Sequence, residues 1–171
     1  LERRGALPVT RASLDLARAV LTDVTTRVAG EYRERLVPAV DRVWRDEIAA
    51  IARDLRGWVR RVADEGADWI PKYFELAFGL REDDQERDPR SVPEPVGIDG
   101  RFTLRGSIDL VEEHVTSGTL RVTDHKTGKN RSTPTLVIGG GAVLQPVLYS
   151  MVVERMSGKP VGEGRLSFCT T

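Results

Sequence analysis

Apolar residues recur at helical spacing through the first part of the chain and at strand spacing through much of the rest. Leu14, Ala17, Val20, Leu21, Val24 and Val28 fall three or four positions apart, the interval that places side chains on one face of an α-helix. Thr10 or Ser13, just upstream, is a candidate N-cap, because a hydroxyl there can accept from an orphan backbone N–H. Pro38 predicts the start of a second helix, since proline costs least in a first turn. Val40, Val43, Trp44, Ile48, Ile51, Leu55, Trp58, Val59 and Val62 mark one face of it, and Arg42, Arg45, Asp46, Glu47, Arg53 and Arg56 mostly fill the other. That charged side reads as a solvated face rather than a nucleic-acid contact. Gly66 supplies the stop.

From Pro71 the period changes. Residues 71–79 have strand composition. Arg81 to Pro95 is charged, carries three prolines and reads as a loop. Phe102 to Glu112 predicts one strand and Leu120 to Lys126 the next, joined as a hairpin through a turn at Gly118. Lys129 to Pro134 is a polar loop, and Gly139-Gly140-Gly141 a flexible joint. Val143 to Met156 predicts an amphipathic helix, and Gly164 to Thr170 a last strand. Helices followed by a small sheet with a helix between its later strands predict an α/β or α+β arrangement: N-terminal helices packed on a small mixed central sheet. A single domain is expected over 1–171, with a helical part at 1–66 and a sheet-and-helix part at 67–171.

Composition narrows the class without choosing a function. The chain has 171 residues, 40% apolar and 30% charged, an ordinary balance for a folded domain with a core. No apolar run reaches the roughly 18 residues needed to span a bilayer, and Leu1-Glu2-Arg3-Arg4 does not open a signal peptide. The first residue is not Met, so a piece of a longer protein is expected. The single cysteine, Cys169, excludes an internal disulfide and cannot hold zinc or an iron–sulfur cluster alone; the cytoplasm is the expected compartment. A net charge of zero argues against a dedicated DNA-packing protein, but leaves room for a local basic patch.

Candidate chemistry concentrates on the strand Leu120-Arg121-Val122-Thr123-Asp124-His125-Lys126. Leu120 and Val122 share a face with Asp124 and Lys126, so the core-facing side becomes ionic at its end. Charged side chains avoid such positions unless they are paired or hold a metal. A carboxylate and an ammonium two residues apart suit metal-assisted hydrolysis: the acid holds the cation, and the lysine positions water or stabilises developing negative charge. On the preceding strand Asp109 alternates out of the set formed by Phe102, Leu104, Ile108 and Leu110, and only a bend or bulge would bring it to Asp124. On pattern alone it is a surface acid or a site acid. Gly106 leaves room for another group to approach closely. Glu75, among Tyr73, Phe74, Leu76 and Phe78, is either an outward residue or part of the site.

Gly106-x-Ile108-Asp109, then Val122-Thr123-Asp124-His125-Lys126-Thr127-Gly128, then Gln145-x-x-x-Tyr149 resembles the RecB/AddB branch of the PD-(D/E)XK nucleases, from about Glu75 to Thr171. The resemblance implies a restriction-endonuclease-like core and metal-dependent cleavage of DNA. It implies Asp109 and Asp124 as metal ligands, with the backbone carbonyl of His125, and Lys126 as the catalytic lysine. Glu75 would match an acid on the first core strand. Gln145 and Tyr149, i and i+4 on a helix, would line the site and contact substrate. Lys129 and Arg131 with Lys126 would give a local positive patch for a phosphate backbone. Oxygen ligands and few histidines suit Mg²⁺ or Mn²⁺ rather than zinc. The resemblance further implies a helicase domain or subunit as partner and a role in DNA repair. An early-helix histidine usual in the branch is not in this sequence: its histidines are His114 and His125. The competing expectation is an inactive relative that binds DNA or scaffolds a repair complex.

Two other readings fail on residues. Gly128-Lys129 is not a phosphate loop, because position 123 is Thr and Asn130 follows the lysine. No G-x-S-x-G elbow exists for a serine nucleophile.

Overall fold

The computed structural model describes residues 1–80, 87–127 and 144–170. They fall into two compact units: Leu1–Ala67 with 127 and 168–170, and residues 68–80, 87–126 and 144–167.

In the helical unit, a single 3-10 turn at Glu2–Arg4 precedes α1 (Leu14–Leu36) and α2 (Asp41–Glu65). Ser13 is the N-cap residue of α1, but its hydroxyl turns back: it takes the Thr10 N–H at 2.9 Å instead of a first-turn amide. The second helix starts at Asp41, three residues beyond the expected Pro38, and ends at Gly66, which has φ 89°. Ala6, Val9, Ala17, Val59 and Ala63 form the buried cluster here, with Leu14, Leu21, Trp58 and Val62 against it. The apolar face expected on α2 is therefore covered only toward its C-terminal end; Val40, Val43 and Ile51 are exposed. A cleft of about 480 Å³ also opens between the helices, with Leu21 and Ala29 on one wall and Trp44 and Ile48 on the other.

The second unit contains β1 (Trp69–Phe78), β2 (Val96–Ile98), β3 (Phe102–Leu104), β4 (Gly106–His114), β5 (Leu120–Lys126), α3 (Gln145–Ser157) and most of β6 (Val161–Phe168). The main sheet has the order β1-β4-β5-β6, and β2 and β3 pair separately. The expected single strand 102–112 is thus two strands, divided at Arg105, because its first three residues pair with β2 rather than β1. β1 and β4 are antiparallel, with a register shift between Pro71 and Tyr73, and β4 and β5 form the expected antiparallel hairpin. Gly118, at φ 67°, closes it. The start of β5 adjoins that of β6, Leu120 N–H donating to the Pro160 carbonyl at 2.9 Å. Farther along both strands, Arg165 Nε donates to Thr123 Oγ1 at 2.9 Å. The two strands therefore run in the same direction, with α3 as their crossover, and the sheet is mixed. Among the described residues this is an α+β architecture of three α-helices, a mixed main sheet and the β2–β3 pair.

Leu76, Phe78, Ile108, Val111, Leu120, Val122, Val152 and Val153 belong to the apolar core of this unit. The alternation expected along β4 fails. Ile108, Val111 and Glu112 are all buried, while Leu110 is only half-buried. On β5 both faces are buried. Leu120 and Val122 enter the apolar core; Arg121 and Thr123 point the other way and meet polar groups. Arg121 grips Glu112, its cross-strand partner, through two hydrogen bonds of 2.7 and 2.9 Å. Its guanidinium lies 4.5 Å over the Trp69 ring.

Residues 87–92, within the expected loop, are not free chain. Val92 forms a parallel bridge with Phe78 and ties to Ala77 and Gly79 through backbone hydrogen bonds of 3.0 Å, so this segment follows the outer edge of β1.

Candidate active site

The hairpin hydrogen-bonding ladder is last paired at Leu110 and Thr123. The next positions along the two strands are Asp109 and Asp124. There a side chain replaces the backbone partner: Asp109 Oδ2 accepts the His125 N–H at 2.6 Å. That N–H belongs to the peptide joining Asp124 to His125, so one acid is fixed against the backbone that carries the other. His125 Nδ1 lies 3.9 Å from the same Asp109 oxygen. Burial is the main force lowering the His125 pKa from its ordinary 6.5, and Arg165 lowers it further; Asp109, Glu112 and Asp124 oppose the shift.

Asp124 is 4% exposed. Its Oδ2 is buried and receives no hydrogen bond of good geometry. The Lys126 ammonium is only 2.5 Å away, but it stands as a misaligned counter-charge and not as a directed donor. The pairing offsets the charge, yet it leaves a buried carboxylate oxygen without an aligned donor, and polar groups kept buried in this way gather at functional sites. Lys126 points its ammonium at α3, donating to Gln145 Oε1 at 2.9 Å; Gln145 Nε2 donates to the Tyr149 hydroxyl at 3.1 Å. Tyr149 meets Phe78 edge-on, with ring centroids 6.0 Å apart. It sits so close to Gly106 that a Cβ there would lie 3.2 Å from its hydroxyl. The space left by Gly106 is taken by this ring.

On the other side of β4, Glu75 lies between the register pairs Phe74–Leu110 and Leu76–Ile108, at the level of Asp109. Its backbone has φ 52°, a left-handed conformation rare for a residue with a side chain. Ser107 Oγ donates to its Oε2 at 3.3 Å. Glu75 is exposed overall, but desolvation of its carboxylate raises its pKa above 4.5, and the nearby charge of Asp109 adds to this, against the Ser107 hydrogen bond.

Six expected residues are thus linked by contact or along the backbone, Asp109, Asp124, His125, Lys126, Gln145 and Tyr149, and the seventh, Glu75, reaches them through Ser107, two residues before Asp109 on β4. Lys129 and Arg131 lie outside the described residues. Ser107 escaped the sequence reading, although its place two residues before Asp109 on one strand was the available signal. Among the described residues no group of three or more His, Cys, Asp or Glu gathers at metal-binding distance. The donor set still fits a small hard cation, because Mg²⁺ is commonly held by one or two carboxylates and completed by water. The underused Asp124 oxygen and the adjacent Asp109 carboxylate are donors of that kind.

No helix among the described residues is long and apolar enough to cross a membrane. No curated protein and no solved structure matches the chain. A family model does match, over residues 3–171, and it agrees with the mixed sheet and its crossover helix: the chain belongs to the PD-(D/E)XK nuclease superfamily.

Proposed function

We propose that the chain is the nuclease domain of a RecB-like helicase–nuclease or a related DNA-repair protein, and that it hydrolyses DNA phosphodiester bonds with Mg²⁺ or Mn²⁺. The observation that carries this reading is the buried Asp124 carboxylate, paired with the Lys126 ammonium at a strand end that also carries Asp109. Asp109 and Asp124 would hold the cation with the carbonyl oxygen of His125. When bound, the cation neutralises charge on the scissile phosphate and acidifies water. Lys126 stabilises the negative charge that develops on the phosphate, or orients water toward it. Gln145 holds Lys126, and Tyr149 holds Gln145, so α3 fixes the direction of the ammonium. Glu75 stands at the Asp109 side, where an acid with a raised pKa is suited to sharing or relaying a proton. Lys129 and Arg131 would extend the positive surface along the DNA backbone. A helicase domain or subunit is the proposed partner, and the bacterial cytoplasm the proposed compartment.

A second reading is a DNA-binding domain without cleavage. It draws on the lack of a three-ligand group among the described residues. One experiment separates the two: digestion of single- and double-stranded DNA by the full natural polypeptide, with and without Mg²⁺, beside Asp124→Ala and Lys126→Ala. Cleavage that needs the metal and is lost in both variants is expected. Equal residual cleavage in the variants would mean a contaminant and would sink the catalytic reading. DNA affinity without cleavage, indifferent to metal, would establish the second.

A further inference from the structure

We infer that Asp88 is a positioning residue for the site: the segment 87–92 is a strap that holds Glu75 in its left-handed conformation and thereby turns its carboxylate toward Ser107 and Asp109. The inference rests on the nuclease reading for its functional consequence, and on geometry alone for the positioning.

Glu75 is the only residue of β1 with positive φ. A side-chain-bearing residue held there costs on the order of 1–3 kcal/mol and persists only where its surroundings over-determine it. The strap supplies such surroundings. Asp88 N–H donates to the Glu75 carbonyl at 3.3 Å, and Asp88 Oδ2 accepts the Phe74 N–H at 3.3 Å. One residue thus takes the backbone groups on both sides of the Phe74–Glu75 peptide. Asp88 is itself fixed: its Oδ1 accepts the Arg90 N–H at 2.8 Å, and its carbonyl accepts the Ser91 N–H at 2.9 Å. Ser91 Oγ accepts the Ala77 N–H at 3.0 Å, and Val92 continues the edge. Arg90 closes the other end, stacking on the Tyr73 ring with its guanidinium carbon 4.9 Å from the centroid. The outer edge of β1 is therefore gripped at Tyr73, Phe74, Glu75 and Ala77, and the chain again at Gly79 just beyond it. A regular strand would turn Glu75 according to simple alternation. The strap departs from a regular ladder at Glu75, and the carboxylate ends on the Ser107 hydroxyl, level with Asp109.

The test uses the full natural polypeptide, Asp88→Ala, Glu75→Gln and the double variant. Backbone chemical shifts and couplings at Glu75 report its φ without reference to activity. They are expected to lose the left-handed pattern in Asp88→Ala, while shifts along β4 and β5 away from Asp109 stay put. In the Mg²⁺-dependent assay, Asp88→Ala is expected to lower kcat about tenfold with little change in KM, the scale of a small misplacement of a site group. In the Glu75→Gln background the same substitution should cost about twofold or less, because both changes remove one function. Retention of the left-handed pattern at Glu75 in Asp88→Ala overturns the positioning claim whatever the activity. An equal loss of kcat in both backgrounds shows that Asp88 acts through the fold at large and overturns its functional part. A wild-type protein without cleavage refutes the nuclease reading and leaves the positioning claim to the spectroscopic arm, which decides it.

Discussion

Asp124 shows the cost of a site in one side chain. It continues the face of Leu120 and Val122, yet presents a carboxylate oxygen with no aligned donor inside a buried strand end. Natural sites often sacrifice stability for function in this way. Asp124→Asn is therefore expected to reduce Mg²⁺-dependent cleavage by about 100-fold or more. In the presence of EDTA it should leave Tm close to that of the parent, because Lys126 is partly exposed and keeps Gln145 as its acceptor. A marked fall in Tm without metal would show that Asp124 is primarily a structural partner of Lys126. The face of Asp124 and Lys126 was read from the sequence by continuing from Leu120 and Val122, which enter the apolar core while Arg121 and Thr123 turn the other way. The orientation of Glu75 was not. Positive φ at a residue other than glycine leaves no trace in hydrophobic periodicity. Here it coincides with contacts from Asp88, which is 14 residues from its partner Phe74.

Between elements, small residues decide how closely helix and sheet approach. Gly106 lies under Tyr149, and Gly164 of β6 lies under the first turn of α3. A Cβ at Gly164 would stand 2.8 Å from both the Pro146 carbonyl oxygen and Ser150 Oγ. The former is backbone in a helix opened by Gln145, and cannot swing aside. Gly164→Ala is expected to destabilise the protein by about 1–3 kcal/mol, the usual range for overpacking, read as a lower midpoint in urea unfolding. It should also weaken cleavage, because α3 carries Gln145 to Lys126. An unchanged midpoint would mean that helix and strand have slack at this contact. Sequence pattern located α3 and β6 to within a few residues but missed the division of residues 102–112 into β3 and β4. Both halves carry apolar residues, and what separates them is a change of partner strand at Arg105, a tertiary choice invisible to local periodicity.

In the molecule as a whole, a polar layer accompanies the apolar core. Glu112 and Arg121 are each 7% exposed at the side chain. Thr123 Oγ1 donates to Glu112 Oε2 at 3.2 Å, and Arg165 reaches the same carboxylate at 3.5 Å. Such a pair is weak evidence of net stability, yet removing one partner strands the other. Glu112→Ala is expected to destabilise by about 3–5 kcal/mol, while Glu112→Gln, which keeps an acceptor, should cost visibly less. Equal midpoints for Glu112→Ala and the parent in chemical denaturation would contradict this. The order of the longer elements, the α+β class and the hairpin were readable from the chain because they rest on long periodic runs, whereas the short strand β2 was not. The polar layer was not. Arg121 and Thr123 look like the solvent side of a half-exposed strand until Trp69, Glu112 and Arg165 close on them.

Asp109 carries a lesson for anyone who mutates this protein. Its carboxylate takes the place of a rung where the backbone ladder between β4 and β5 stops, so the same group is both candidate ligand and splice. Deleting it would unfasten the open end of the hairpin along with any chemistry it performs, and an inert Asp109 variant would confound the two. Asp124, whose outer oxygen fastens no backbone, offers the cleaner dissection.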